Sequence, residues 1–145
     1  RPERHSYEIV KRTGEFVINL TTEALAEATD WCGVRSGRNF DKFKECGLTP
    51  EKSAVVSAPS IAESPISIEC RVKQIMPLGS HDMFLADIVA VDVDEALVDE
   101  SGKLHLDRAG LVAYSHGEYF ELGKKIRTFG FSEKKKKKSP QRKNK

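Results

Sequence analysis

Residues 66–93, ISIECRVKQIMPLGSHDMFLADIVAVDV, carry the reading that decides the fold. Ile66, Ile68, Cys70 and Val72 alternate with Ser67, Glu69, Arg71 and Lys73. Successive side chains of a strand point to opposite faces, so this period predicts a half-buried strand with its polar set outward. Met83 to Val93 is apolar at nearly every position apart from Asp87 and Asp92. Such a run predicts a central strand covered on both faces. The segment between them, Pro77-Leu78-Gly79-Ser80-His81-Asp82, is short and rich in turn formers, which favours an antiparallel hairpin.

Before this hairpin the period is helical. Ser6 is placed to cap a short helix from Tyr7 to about Arg12, closed by Gly14. Glu15 to Leu20 reads as a strand, because Phe16, Val17, Ile18 and Leu20 are too apolar for a surface segment. Thr21 or Thr22 opens the next helix, where Ala24, Leu25, Ala28, Trp31 and Cys32 form a stripe ending at Gly33. A third helix is expected over Asn39–Cys46, stopped by Gly47 and Pro50. Beyond the hairpin, Ala96–Val98 and Leu111–Tyr114 are shorter strand candidates, and Leu104–Leu106 has no decisive period. Helices first and antiparallel strands later describe an α+β domain built on a small barrel.

At 145 residues the chain fits one domain with a core of its own. The net charge of +2 averages two unlike regions. Lys134–Lys138, Arg142, Lys143 and Lys145 give residues 134–145 eight basic side chains and no acidic one, leaving 16 basic and 22 acidic residues in 1–133, a net of −6. A domain with that balance lacks the basic face of a nucleic-acid binder. The segment from Glu133 onward cannot bury enough apolar surface to offset the entropy of ordering it, so a disordered tail over 133–145 is expected after a domain over 1–132. Cys32, Cys46 and Cys70, spaced by 14 and 24 residues, form neither a disulfide framework nor a zinc pattern and point to a reducing cytoplasm. No stretch reaches the ~18 apolar residues of a membrane helix.

Two groups of residues carry anion-binding chemistry. The first is Arg1-Pro2-Glu3-Arg4-His5-Ser6, ahead of Gly14-Glu15-Phe16-Val17-Ile18-Asn19-Leu20; the second is Ser36-Gly37-Arg38 with Asp41-Lys42-Phe43. Arginine offers a planar fork matched to phosphate, lysine a point charge, and a Ser-Gly turn unobstructed backbone N–H groups. A capped helix start at Ser6 is itself an anion site. The same residues, taken alone, also read as solvated turns entering helices. Trp31 and Cys32 lie on the apolar stripe, which accounts for them as core residues. No acid/base dyad, nucleophile elbow or metal-ligand spacing accompanies these groups.

Together with Gly79-Ser80-His81 ahead of an apolar strand, these motifs resemble the flavin reductase-like, FMN-binding split-barrel family, with its flavoredoxin-like branch nearest. The resemblance runs from Arg1 to about Ser132. It implies a split antiparallel β-barrel, Greek-key-like, with short flanking helices. Because the family's early strands precede the Arg1 position, it also implies an N-terminally truncated chain. FMN is the implied cofactor, NADH or NADPH the implied electron donor, a small molecule or protein the acceptor, and a homodimer the implied assembly. Carried over by motif, Lys42 reads as the cation for the FMN phosphate, with Ser36 and Gly37 as hydroxyl and backbone donors. Arg38, Arg4 and Ser6 are the further cofactor-binding candidates, and Phe43 packs beside the flavin or its helix. His81 corresponds to a histidine near the flavin. The family's glycine five positions later is Ala86 here, a departure that bears on the local strand geometry more than on the histidine. Cys32 is a minor candidate beside the flavin, and His116-Gly117-Glu118-Tyr119 resembles a late family segment.

The resemblance implies an oxidoreductase passing electrons between nicotinamide, flavin and acceptor. An electron carrier that never uses a nicotinamide is the alternative. A small-barrel nucleic-acid binder relying on the lysine run is a third reading, opposed by the acidic body.

Overall fold

The computed structural model describes residues 1–133; the lysine-rich segment expected to be disordered lies, after Glu133, outside the described residues. Helix α1 (His5–Thr13) leads through Gly14 into β1 (Glu15–Asn19). Gly14 takes φ 68° and returns its N–H to the Val10 carbonyl, the left-handed closure that a residue without Cβ adopts most readily. The cap at the other end differs from expectation. Arg4 occupies the N-cap position without a side-chain bond, and Ser6 lies inside the first turn. Starting the helix two residues early leaves the Ser6 hydroxyl free of capping.

A 3-10 turn (Glu23–Leu25) precedes α2 (Ala26–Val34), which runs past Gly33 and ends at Arg35. Leu25 is buried and Trp31 and Cys32 half-buried, but Ala24 is exposed because it falls in the 3-10 turn, off the α-helical period. The third helix, α3 (Lys42–Cys46), is shorter than the expected span. The Asp41 carboxylate accepts the Lys44 N–H at 3.3 Å, which starts the helix there and leaves Asn39–Asp41 in the preceding loop.

The remaining elements are antiparallel. Strands β4 (Ile66–Pro77) and β5 (Asp82–Val93) form the expected hairpin, and β1 pairs with β4 on its other side, giving the order β1-β4-β5. The sheet therefore has β4 at its centre and β5 at an edge, the reverse of the reading from hydropathy. Ile88 is 65% exposed, and Met83, Leu85 and Val91 are also exposed. A continuous apolar run reports how hydrophobic both faces are, not whether a second layer covers them. The polar face of β4 departs as well: Ser67 is buried and Glu69 is 0% exposed.

What covers that face is the arm over residues 49–64, where β2 (Pro50–Glu51) pairs with β3 (Ser60–Ile61). On the opposite face Ile66, Leu97 and Ala109 form a small core with Leu20, Ile68, Val93 and Leu111. The expected strand at Ala96–Val98 is instead a 3-10 turn (Glu95–Leu97), its start held by Asp94 accepting the Ala96 N–H at 2.8 Å. Val98 keeps one bridge to Leu104, and Leu106 opens a further 3-10 turn. A last hairpin joins β6 (Val112–Ser115) to β7 (Glu118–Glu121) through His116 and Gly117, both with positive φ as a two-residue turn requires. Among the described residues no helix is long and apolar enough to cross a membrane.

Candidate functional site: a cationic cleft at three helix ends

The start of α1, the end of α2 and the start of α3 meet around a cleft of about 770 Å³. Its walls bring together Arg4 and Ser6 from α1, Ser36 and Gly37 from the loop after α2, and Lys42 from α3. Arg1, Arg35 and Cys32 also line it. Four cations thus stand against the single carboxylate of Glu3, which Arg1 meets at 3.5 Å.

The cations differ in what already holds them. Lys42 donates from Nζ to the Cys32 carbonyl at 2.5 Å, so its charge offsets the negative end of α2. Arg35 lies over the Phe40 ring at 5.8 Å, and Phe40 in turn packs edge-on against Trp31. Neither the Arg4 guanidinium nor the Ser6 hydroxyl has a hydrogen-bond or ion-pair partner among the described residues. Among the described residues Ser36 Oγ accepts the Arg38 N–H, at 3.3 Å, and its own proton has no acceptor. The first N–H groups of α1 reinforce this positive end.

Gly37 sets how closely the walls approach. A Cβ there would stand 3.2 Å from His5 Cδ2 and 3.9 Å from Lys42 Cε. With Arg1 paired to Glu3, the remaining cations Arg4, Arg35 and Lys42, the hydroxyls of Ser6 and Ser36 and a backbone segment bare of Cβ form a donor set that fits a phosphate group.

A second hollow of about 300 Å³ adjoins the cleft, sharing Arg1, Arg4 and Ser6 and continuing along Tyr7, Val10, Phe16, Asp82 and Phe84. Tyr7 packs edge-on against Phe84 at 5.6 Å and donates its hydroxyl to Asp82 Oδ2 at 2.6 Å. That bond holds the phenol above its ordinary range, with burial and the carboxylate charge adding to it. Beyond the shared Arg1, Arg4 and Ser6, the wall of the hollow is Tyr7, Val10, Phe16 and Phe84 with the Asp82 carboxylate, whereas the cleft is cationic.

Of the eight sequence candidates, Arg4, Ser6, Ser36, Gly37 and Lys42 converge, while Arg38, Phe43 and His81 stand outside the lining of both hollows. His81 sits at the tip of the β4–β5 hairpin, its Nδ1 3.0 Å from Ser80 Oγ, and the neighbouring Asp82 reaches the site instead. Sequence reasoning missed Arg35, Tyr7, Phe16, Phe84 and Asp82 as site residues. Arg35 abuts the Ser36-Gly37 turn and was within reach of motif reading. The aromatic set comes from three separate elements and carried no local signal.

The flavin reductase-like domain model matches residues 1–123. A flavoredoxin of Desulfovibrio vulgaris (Miyazaki F) superposes with a TM-score of 0.85 at 28% identity, over 92% of this chain and 73% of that one. A split-barrel protein of Shewanella frigidimarina, assigned to the flavin reductases, gives 0.76 at 27% identity, over 88% and 66%. An Archaeoglobus fulgidus protein is 31% identical over 117 residues, 81% of this chain and 65% of its own length. The chain spans about three fifths of the length of the first curated relatives it matches.

Proposed function

The chain belongs to the flavin reductase-like domain family, and from that premise we propose that it is an FMN-binding oxidoreductase passing electrons between NADH or NADPH, the flavin and a small-molecule or protein acceptor. The observation that supports this reading most directly is the pairing of a cationic cleft with an aromatic hollow through shared Arg4 and Ser6. A flavin mononucleotide has a dianionic end and a flat apolar end, and this pair of surfaces matches both.

Hydride and single-electron chemistry come from FMN when it is bound; the chain supplies anchoring, orientation and surroundings. Arg4 and Arg35 would hold the phosphate by charge-assisted bonds, with Ser6 and Ser36 as hydroxyl donors. Lys42, tied to the end of α2, adds its field from a fixed point. Gly37 lets backbone approach the phosphate closely. Phe16, Phe84 and Tyr7 offer the ring an apolar wall, and Asp82 keeps the Tyr7 hydroxyl oriented and protonated. Arg38, Phe43 and His81 have no role in this scheme. The apolar residues exposed along the edge strand β5, Ile88 and Val91 among them, support the expected homodimer.

The test is a titration of the protein with FMN and riboflavin, followed by anaerobic stopped-flow reduction with NADH and NADPH. Saturable FMN binding, with riboflavin much weaker, and bleaching of the bound flavin by either nicotinamide are the expected results. Equal weak binding of both flavins contradicts the phosphate anchor. Tight FMN binding without nicotinamide reduction leaves an electron carrier.

A further inference from the structure

Cys32, in the last turn of α2, and Cys46, the last residue of α3, place their Sγ atoms 3.8 Å apart. Both are half-buried, and Cys32 lines the cationic cleft. Cys70 is held away from them inside the sheet, 3% exposed, with its thiol 3.7 Å from the Ile68 carbonyl oxygen. The loop between the two paired cysteines carries Arg35, Ser36 and Gly37 of the cleft, and Lys42 spans its base by bonding the Cys32 carbonyl. The thiols therefore sit at the two ends of the segment that shapes the cleft. A disulfide needs sulfurs about 2.05 Å apart, so from 3.8 Å the two thiols have less than the width of one atom to close.

We propose that Cys32 and Cys46 form a reversible dithiol–disulfide couple that staples α2 to α3 and immobilises the loop over residues 35–41. The oxidant class is a low-molecular-weight disulfide. One cysteine thiolate attacks a sulfur of that molecule, its S–S bond breaks, a mixed disulfide forms and one small thiolate leaves. The second cysteine thiolate attacks the protein-side sulfur of the mixed disulfide, forming the Cys32–Cys46 bond and expelling the second small thiolate. Two protein thiols thereby lose two electrons and two protons, and the small disulfide departs as two thiols.

Burial holds the Cys32 thiol above its ordinary range, the Cys46 hydrogen bond adds to this, and the Lys42 charge opposes it. The thiolate fraction is then small at neutral pH, so oxidation accelerates as the pH rises. This couple depends on sulfur geometry alone and stands whether or not the cleft binds flavin.

The experiment incubates the full chain with glutathione disulfide or with dithiothreitol, alkylates the remaining thiols and maps the peptides. Expected are the loss of two titratable thiols, a peptide joining Cys32 to Cys46, an alkylated Cys70 and full reversal by dithiothreitol. Trypsin cleavage after Arg35 and Arg38, read on reducing gels, should be slower in the oxidised chain by on the order of fivefold, because cutting needs local opening. In Cys46→Ser, glutathione should remain on Cys32. Glutathione retained on the wild-type chain without a cross-link, or a bond through Cys70 or between two chains, overturns the couple. Equal cleavage of the cross-linked and reduced chains overturns the clamp.

Discussion

The cationic cleft and the arm over residues 49–64 are both built from charged side chains beside backbone N–H groups, yet they end in opposite conditions. Where the arm meets the sheet, the acceptors on β1 and β4 are occupied by the chain itself. Glu69 accepts the N–H groups of Ala54, Val55 and Val56 at 2.7, 2.7 and 2.9 Å. Glu15 takes the N–H and hydroxyl of Ser57, and Asn19 Oδ1 takes the Ile61 N–H and the Ser67 hydroxyl. In the cleft, Arg4 and Ser6 line the hollow without such partners among the described residues. Buried polar groups that close on one another hold a fold together, while those left facing a hollow are available to a ligand. Glu15 and Asn19, which stand in the same sequence motif as Arg4 and Ser6, therefore act as fasteners of the arm.

The sharpest way to break this comparison is Arg4→Ala. A charge-assisted hydrogen bond contributes about 1.5–3 kcal/mol, so FMN affinity should fall by roughly tenfold to a hundredfold. Riboflavin affinity and Tm should hardly move. Equal losses for the two flavins, measured by fluorescence titration, would place Arg4 among the fasteners.

Glu69→Ala probes the other side. With the buried carboxylate gone and the N–H groups of Ala54, Val55 and Val56 left without it, Tm should drop on the order of 10 °C in calorimetry. Burial alone would raise the Glu69 pKa, but the N–H groups of Val56, Val55 and Ala54 outweigh it and hold the carboxylate below its ordinary range. Its contribution is therefore present above the unfolded value near ~4.3 and lost as the pH falls through the lower folded value. The Tm gap between wild type and variant should shrink below about pH 4; a gap independent of pH means packing, not charge, is responsible.

Lys42→Ala blurs the two categories, since this cation both lines the cleft and neutralises the end of α2. It should weaken FMN binding and also lower Tm by about 3 °C. A change in FMN affinity with no change in Tm would move Lys42 wholly to the ligand side.

The smallest effect concerns Asp92. Burial, followed by the hydrogen bond and charge of Glu69, pushes its carboxyl up. A raised folded value means that stability is fully present below the unfolded pKa near ~3.9 and is lost as the pH rises through the folded one. Asp92→Asn removes that loss, so Tm at pH 7 should increase by about 2 °C and the gain should vanish near pH 3. A lower Tm at pH 7 would show that ionised Asp92 contributes to the arm.

Periodicity and turn chemistry in the sequence were enough to define the β4–β5 hairpin, the glycine closing α1, the α+β class and the two segments whose residues line the cationic cleft. Each of these depends on residues within a few positions of one another. The motif order also carried the family. Tertiary structure alone decided that β4 is the central strand, that Glu69 is buried among backbone donors, that Asp82 and not His81 reaches the hollow, and that Cys32 meets Cys46. Those outcomes depend on which distant segment arrives at a face. A strand's pattern tells how polar its faces are, while the free energy of covering them, or of pairing a carboxylate with remote N–H groups, exists only once the chain has brought the partner there.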